Sequence, residues 1–228
     1  MSAIKADFIN NLTHEFKTPI ATISIAGDML NKEIVITDEE RRQKYLSIIK
    51  TENERLKNHV NQILQISNIE KGDIFLNIDN INIHTLIEKL LNNFEIIIKE
   101  KEGVFLKDFR AESPIAKIDE THFYNVLSNL IDNSIKYTTN KPIISIETYN
   151  NEGAFIIELS DNGIGIPKEH INHVFKQFYR VPTGNIHNIK GFGLGLYYVK
   201  TILKAMKADI KIKSEPHKGT TFTIIIAV

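Results

Sequence analysis

In the stretch FINNLTHEFKTPI, His14 is followed directly by Glu15, and Thr18 lies four residues beyond His14. On a helix, a spacing of four sets Thr18 over the same face as His14, so imidazole, carboxylate and hydroxyl gather at one place. A neutral imidazole is a competent nucleophile toward a phosphoryl group. An adjacent carboxylate can orient it and accept its proton as the new bond forms. A histidine on a helix is more often a plain surface residue, and this chain has eight, so the motif gains meaning only from its companions.

The second constellation is an amide stripe. Asn125, Asn129 and Asn133 recur every four residues, with Lys136 close to the last, which on a helix aligns them along one face. An amide oxygen is a hard ligand suited to Mg2+, and a lysine can reach a phosphate, so the stripe could hold a metal–nucleotide complex. Taken alone it fits a solvated helix face equally well.

Glycines make the third. DNGIGIP at 161–167 and GFGLGL at 191–196 put small residues where backbone must turn sharply or approach a ligand. Gly193 and Gly195 lead into the helical pattern LYYVKTILKAM, whose first amides could receive phosphate oxygens. There is no GxxxxGK[ST] segment, and GFGLGL is not the GxGxxG of a dinucleotide-binding unit, so an ATP site would need a different fold. Residues 167–191 show weak periodicity over a long stretch with two prolines and two glycines, the pattern of a functional lid.

The elements that must carry these groups follow from periodicity. Phe8, Leu12, Glu15, Pro19, Thr22, Ala26 and Met29 form a partly apolar seam at helical spacing, and Pro19 predicts a bend just after residues 14–18. Residues 31–38 read as a connection, and Thr37 or Asp38 ahead of Glu39 and Glu40 supplies a cap and an acidic first turn for a second helix. Leu46, Ile49, Asn53, Leu56, Val60, Ile63 and Ser67 continue it at heptad spacing. Two such hairpins paired into a four-helix bundle would bury both seams, which predicts a homodimer. A hairpin folded against its own C-terminal half is the alternative.

The helical pattern stops at Gly72, placing a linker near residues 69–73 and two domains, 1–70 and 71–228. Beyond it, helical stretches near 83–100, 120–137 and 193–206 mix with strand-like runs near 104, 115, 143–149, 154–160, 209–213 and 220–227, with a short one just after the linker. The class is α+β: a helical hairpin followed by an α/β domain.

Composition bounds the rest. The 28 Lys plus Arg balance the 28 Asp plus Glu, so no bulk field favours nucleic acid or an anionic membrane as partner. The absence of cysteine removes disulfides and thiolate sites and fits a cytoplasmic setting. No run approaches the ~20 apolar residues of a membrane-spanning helix, and the first residues lack a secretory pattern.

Read together, HEFKTPI, NLIDNSIKYT, DNGIGIP, VFKQFYR, GFGLGL and KGTTF follow the order of the H, N, G1, F, G2 and G3 boxes of sensor histidine kinases, over residues 14–222. The chain therefore resembles the dimerisation and histidine-phosphotransfer hairpin of that family, followed by an ATP-binding α/β sandwich of the gyrase and heat-shock-chaperone superfamily. The resemblance implies His14 as phosphoacceptor, Glu15 as its general base and Thr18 as the group orienting water in the reverse, phosphatase reaction. It implies Asn133 as the Mg2+ ligand, with Asn129 beside it and Asn125 as a neighbour, and Lys136 and Tyr137 at the nucleotide. Asp161 would accept from the adenine amino group, with Gly163 and Gly165 letting backbone pass beside the base. Residues 168–190 resemble the ATP lid, with Phe175 and Phe178 as anchors, Arg180 near the phosphates, and Gly191, Gly193 and Gly195 hinging it; Phe178 and Leu194 would also line the nucleotide. Thr220 and Thr221 would support the site.

Departures from the family pattern are small: Lys17 where arginine is common, Ser134 where alanine is common, and Asp132, a carboxylate whose helical position favours solvent. The expected activity is ATP- and Mg2+-dependent phosphorylation of His14 and onward transfer to an aspartate of a separate response regulator, with phosphatase activity on that regulator as a further capacity. A non-catalytic ATP-binding dimeric scaffold is the alternative. The resemblance also implies a sensor upstream, and membrane attachment only through such segments.

Overall fold

The computed structural model describes residues 3–70, 74–182 and 192–227, which divide into two compact units. The first is helical: α1 (Ala3–Leu30), α2 (Glu33–Ile36) and α3 (Glu39–Glu70). Helical structure continues on both sides of Pro19, which is buried; proline has no N–H to give the Glu15 carbonyl, so the turn above His14 lacks one helical bond. The expected connection at 31–38 contains the single turn α2, pinned by Val35 at 1% exposure. Asp38 Oδ1 then accepts from Arg41 N at 3.0 Å, the predicted cap, with Glu39 and Glu40 in the first turn facing the positive end of the α3 dipole.

On α1 the predicted seam is the inward one, with Pro19 and Ala26 buried and Leu12, Glu15, Thr22 and Met29 half-buried. On α3 it needs correction. Tyr45, Ile48, Ile49, Glu52, Arg55, Leu56 and Ile63 are half-buried, whereas Leu46, Asn53 and Val60 of the predicted seam are exposed. The cause is that α3 carries two adjacent apolar stripes and the hairpin covers one of them. Leu46 and Val60, at 44% and 45% exposure, belong to the other.

The second unit holds β1 (Asp79–Asn82), α4 (Ile83–Glu100), β2 (Val104–Phe109), β3 (Ile115–Ile118), α5 (Glu120–Lys136), β4 (Ile143–Asn151), β5 (Ala154–Asp161), α6 (Lys168–Ile171), α7 (Gly195–Ala205), β6 (Ala208–Glu215) and β7 (Gly219–Ala227). The strand-like run expected just after the linker lies later, at β1. A five-stranded sheet runs β2-β4-β5-β7-β6, and β1 pairs with β3 alone. The β2–β4 pair is parallel and the others antiparallel.

Period-two alternation explains the layering. Ile144, Ile146 and Thr148 of β4, with Phe222, Ile224 and Ile226 of β7, are buried on one face. Against that face lie Leu86, Ile87 and Leu90 of α4, Phe123, Leu127, Leu130 and Ile131 of α5, and Val199, Ile202 and Leu203 of α7. The two longest helices of this unit begin at side-chain caps. Asn82 caps α4 through Thr85 N at 3.1 Å. The buried Asp119 caps α5 through His122 N at 2.8 Å and also accepts from Asn77 N at 2.7 Å. That cap sets where the asparagine stripe of α5 begins.

Candidate active site

The His14 side chain is exposed on α1, while Glu15 turns half-buried into the α1–α3 seam. Arg55 reaches across from α3 and donates from Nη2 to Glu15 Oε2 at 3.1 Å, and its Nη1 lies 3.6 Å from Glu52 Oε2. The Thr18 hydroxyl donates to the His14 carbonyl at 3.2 Å, so hydroxyl and histidine share a face as expected. A histidine and a carboxylate are thus successive along α1, one open to solvent and one held.

In the second unit the site grows from α5. Asn129, Asn133, Lys136 and Tyr137 are all half-buried along it. Asn129 Nδ2 donates to Asn125 O at 2.8 Å, and a Cβ at Gly195 would lie 2.8 Å from Asn129 Oδ1; the start of α7 therefore closes on the stripe. Asn125 has another occupation, since its side chain hydrogen-bonds Tyr198, whose hydroxyl also meets His122 Nδ1 at 2.9 Å. Burial pushes the Tyr198 phenol up to about 12. Asn125 belongs to the α5–α7 packing rather than to a ligand shell.

Asp161, at the end of β5, gathers three segments far apart in sequence. Its Oδ1 accepts from Gly163 N at 2.9 Å and Thr220 N at 3.2 Å. Ser134 Oγ lies 3.1 Å from both Asp161 Oδ2 and Leu130 O, one hydroxyl proton shared between two acceptors. Burial raises the Asp161 carboxyl above its ordinary value, and the bonds from Gly163, Ser134 and Thr220 work against that shift. Two glycines make the approach feasible. Gly165, at φ +69, would drive a Cβ to 2.0 Å from Glu215 O, and Gly219, at φ +104, to 1.8 Å from Asp161 O. Ile164 N donates to Tyr137 O at 3.0 Å and Ile166 N to Ser214 Oγ at 2.8 Å, tying the first glycine loop to α5 and β6. The second threonine, Thr221, meets Ser160 Oγ at 2.8 Å.

The segment after α6 closes into a stem: Phe178 N donates to Gly193 O at 3.1 Å, and His170 Nδ1 meets Tyr179 OH at 2.6 Å. Phe175 lies under Lys200 Nζ, 5.1 Å from its ring centroid. Leu194 is buried immediately before α7. Gly191 lies outside the described residues. Burial raises the Tyr137 phenol, and the Arg180 charge pulls it back, which places Arg180 near the end of α5. The Asp132 side chain reaches solvent as expected, although desolvation raises its carboxyl against the charges of Lys136 and Lys101.

Among the described residues no cluster of His, Cys, Asp or Glu could hold a metal. Mg2+ needs no such cage: it keeps several waters and binds through one or two protein oxygens plus substrate phosphates. The Asn133 amide oxygen on α5 fits that donor set. Sequence reading missed Ser134, Ser214 and Arg55 as partners of the site. Ser134 was visible only as a departure from alanine, and nothing local marks Arg55.

An α/β sandwich with convergent glycine loops, preceded by a helical hairpin that presents a histidine, makes a two-module arrangement. Residues 4–72 match the His Kinase A (phospho-acceptor) domain, and residues 118–228 the histidine kinase-, DNA gyrase B- and HSP90-like ATPase family. The chain belongs to the two-component sensor histidine kinases. It is 40% identical to sensor protein RprX of Bacteroides fragilis over 99% of its own length and 44% of that protein, and 30% identical to sensor histidine kinase WalK of Bacillus subtilis over 99% and 37%. It spans less than half the length of these curated relatives. Among solved structures it is similar to the Acinetobacter baumannii histidine kinase AdeS, with a TM-score of 0.68, 24% identity, and coverage of 94% of this chain and 97% of that one. It also resembles histidine kinase ThkA in complex with response regulator protein TrrA, with a TM-score of 0.67, 22% identity, and coverage of 99% and 62%.

Proposed function

We propose that this chain transfers the γ-phosphoryl group of ATP to His14 and passes it on to an aspartate of a separate response regulator. The observation that carries the proposal is an exposed His14 followed in sequence by a held carboxylate, Glu15, in a chain whose second unit has a half-buried acceptor, Asp161, at the convergence of its glycine loops. Asp161 accepts from the adenine amino group, and Gly163, Gly165 and Thr220 shape the backbone around the base. Lys136, Arg180 and the amides at Gly193, Leu194 and Gly195 face the phosphates. Asn133, with Asn129 beside it, would hold Mg2+, which when bound neutralises charge on the phosphates.

One imidazole nitrogen of His14 attacks the γ-phosphorus in line. The bond to the β–γ bridging oxygen breaks, ADP departs, and the proton on the other ring nitrogen goes to Glu15. Thr18 orients water when the reaction on the regulator runs as a phosphatase.

The uncovered stripe of α3, with Leu46, Val60 and Leu64 exposed, supports pairing of two hairpins in a homodimer. ThkA is solved with a response regulator, which supports the same kind of acceptor here. No helix among the described residues is long and apolar enough to cross a membrane. The proposed setting is the cytoplasm, with any membrane anchor supplied by segments outside this sequence.

Incubation with γ-labelled ATP and Mg2+ tests the reading. Acid-labile, base-stable label is expected on the wild type and absent from His14→Gln and Asn133→Ala. Equal label on His14→Gln would move the acceptor elsewhere, and nucleotide binding without label would leave a scaffold.

A further inference from the structure

Among the described residues, the Arg55–Glu15 contact is the one ion pair that joins α1 to α3. It is not a surface pair. The side chains of Arg55 and Glu15 are 25% and 15% exposed, and Glu52, the second carboxylate near Arg55, is 20% exposed. Ion pairs removed from water in this way add little stability, because desolvation offsets the attraction. An apolar seam of the same volume would hold the hairpin as well, so the pair calls for a reason other than stability.

Its position supplies one. Glu15 follows the proposed phosphoacceptor, and Pro19 has no N–H to give its carbonyl. Arg55 engages Oε2 at 3.1 Å and leaves Oε1 outside the pair. Glu52 stands one turn earlier on α3, with Oε2 buried, lacking a hydrogen-bond partner, and 3.6 Å from Arg55 Nη1. One guanidinium therefore lies between two carboxylates. Without it, Glu15 and Glu52 would share the seam with no counter-charge between them, which disfavours the present orientation of Glu15.

We propose that Arg55 is a positioning residue for phosphoryl transfer: it fixes the orientation of the carboxylate of Glu15, the residue that follows His14, and Glu52 anchors Arg55 from behind. The inference rests on the proposed role of Glu15 as proton acceptor. No contact with the nucleotide is involved, so the effect belongs in the rate of transfer and not in ATP affinity. Misplacing a catalytic group by about an ångström costs on the order of 100-fold. Losing one tether of a residue that the helix still carries should cost roughly 10- to 100-fold.

The test is a double-mutant cycle in the full 228-residue chain, read as His14 labelling rate against ATP concentration, with ATP affinity by calorimetry and helix content by circular dichroism. Arg55→Ala is expected to lower kcat by about 10- to 100-fold with KM for ATP within about twofold of wild type. In a Glu15→Gln background the same change should add nothing, because Arg55 acts only through that carboxylate. Arg55→Lys, which keeps the charge but not the fork, should recover part of the rate, and it carries the cycle if the alanine variant does not fold. An Arg55 change that multiplies the Glu15→Gln loss, or raises KM along with lowering kcat, would show a structural role and overturn the proposal. A slow Glu15→Gln beside an unimpaired Arg55→Ala would overturn it while leaving Glu15 as base. A fully active Glu15→Gln beside an inactive His14→Gln would overturn both.

Discussion

Replacing Asp161 by asparagine should separate nucleotide recognition from folding. The amide keeps an oxygen at the Oδ1 position, where it still accepts from Gly163 N and Thr220 N. Its nitrogen takes the Oδ2 position and donates to Ser134 Oγ, which gives its own proton to Leu130 O. No hydrogen bond inside the protein is orphaned, and a carboxylate that burial disfavours is gone. Stability should therefore change by less than about 1 kcal/mol.

The adenine amino group fares differently, because it would meet a donor where the wild type offers a charged acceptor. A hydrogen bond to a charged group is worth about 1.5–3 kcal/mol, so ATP affinity should fall by roughly 10- to 150-fold. Guanine presents a carbonyl oxygen at that position, so the preference for ATP over GTP should shrink in the variant. Calorimetric titration with both nucleotides, beside urea denaturation, gives each quantity. ATP affinity within about twofold of wild type would refute the assignment of Asp161 to the base. A large loss of stability would refute the hydrogen-bond reasoning.

Two glycines with φ above zero should separate backbone strain from collision. Gly153→Ala, at φ +79 with nothing within 4 Å of its Cβ, should cost about 1–2 kcal/mol by urea denaturation. Gly219→Ala, which adds the overlap with Asp161 O, should cost about 2–5 kcal/mol and weaken ATP binding as well; equal losses would mean that the close approach is not real. His84 gives a pH dependence. Its Nε2 bonds Thr148 Oγ at 2.8 Å and its ring stacks on Phe109 at 4.5 Å, and burial lowers it below its ordinary 6.5 against the smaller pull of Glu88. Just below that value the unfolded chain binds a proton that the fold does not, so stability should rise with pH there and fall as pH drops. His84→Gln should flatten that slope, and an unchanged slope would place the titration elsewhere.

The helices α4, α5 and α7 and the strands β4 to β7 were legible to within a few residues, because an apolar face repeating at 3.6 or at 2 needs only local spacing to be seen, whereas the single turn α6 was not. The stripe of Asn129 and Asn133, the glycine loops and the His14–Glu15 motif were legible for the same reason: each is a short pattern whose chemistry is set by residue type. Periodicity says which face is apolar but not what covers it. It placed Leu46, Asn53 and Val60 of α3 in one seam with Ile49, Leu56, Ile63 and Ser67, whereas the hairpin half-buries the latter four together with Ile48, Glu52 and Arg55 and leaves the first three exposed.

What tertiary structure alone decided lies between distant segments. Asp161 meets Ser134 and Thr220, 27 and 59 residues away, because β5 pairs with β7 in one register while α5 packs across the sheet. Arg55 meets Glu15 across 40 residues because α3 folds back along α1. Sequence specified His14, the amides and the turns. The orientation of Glu15 and the gathering of donors around Asp161 came only from packing, since such contacts depend on register and rotation, which no local spacing encodes.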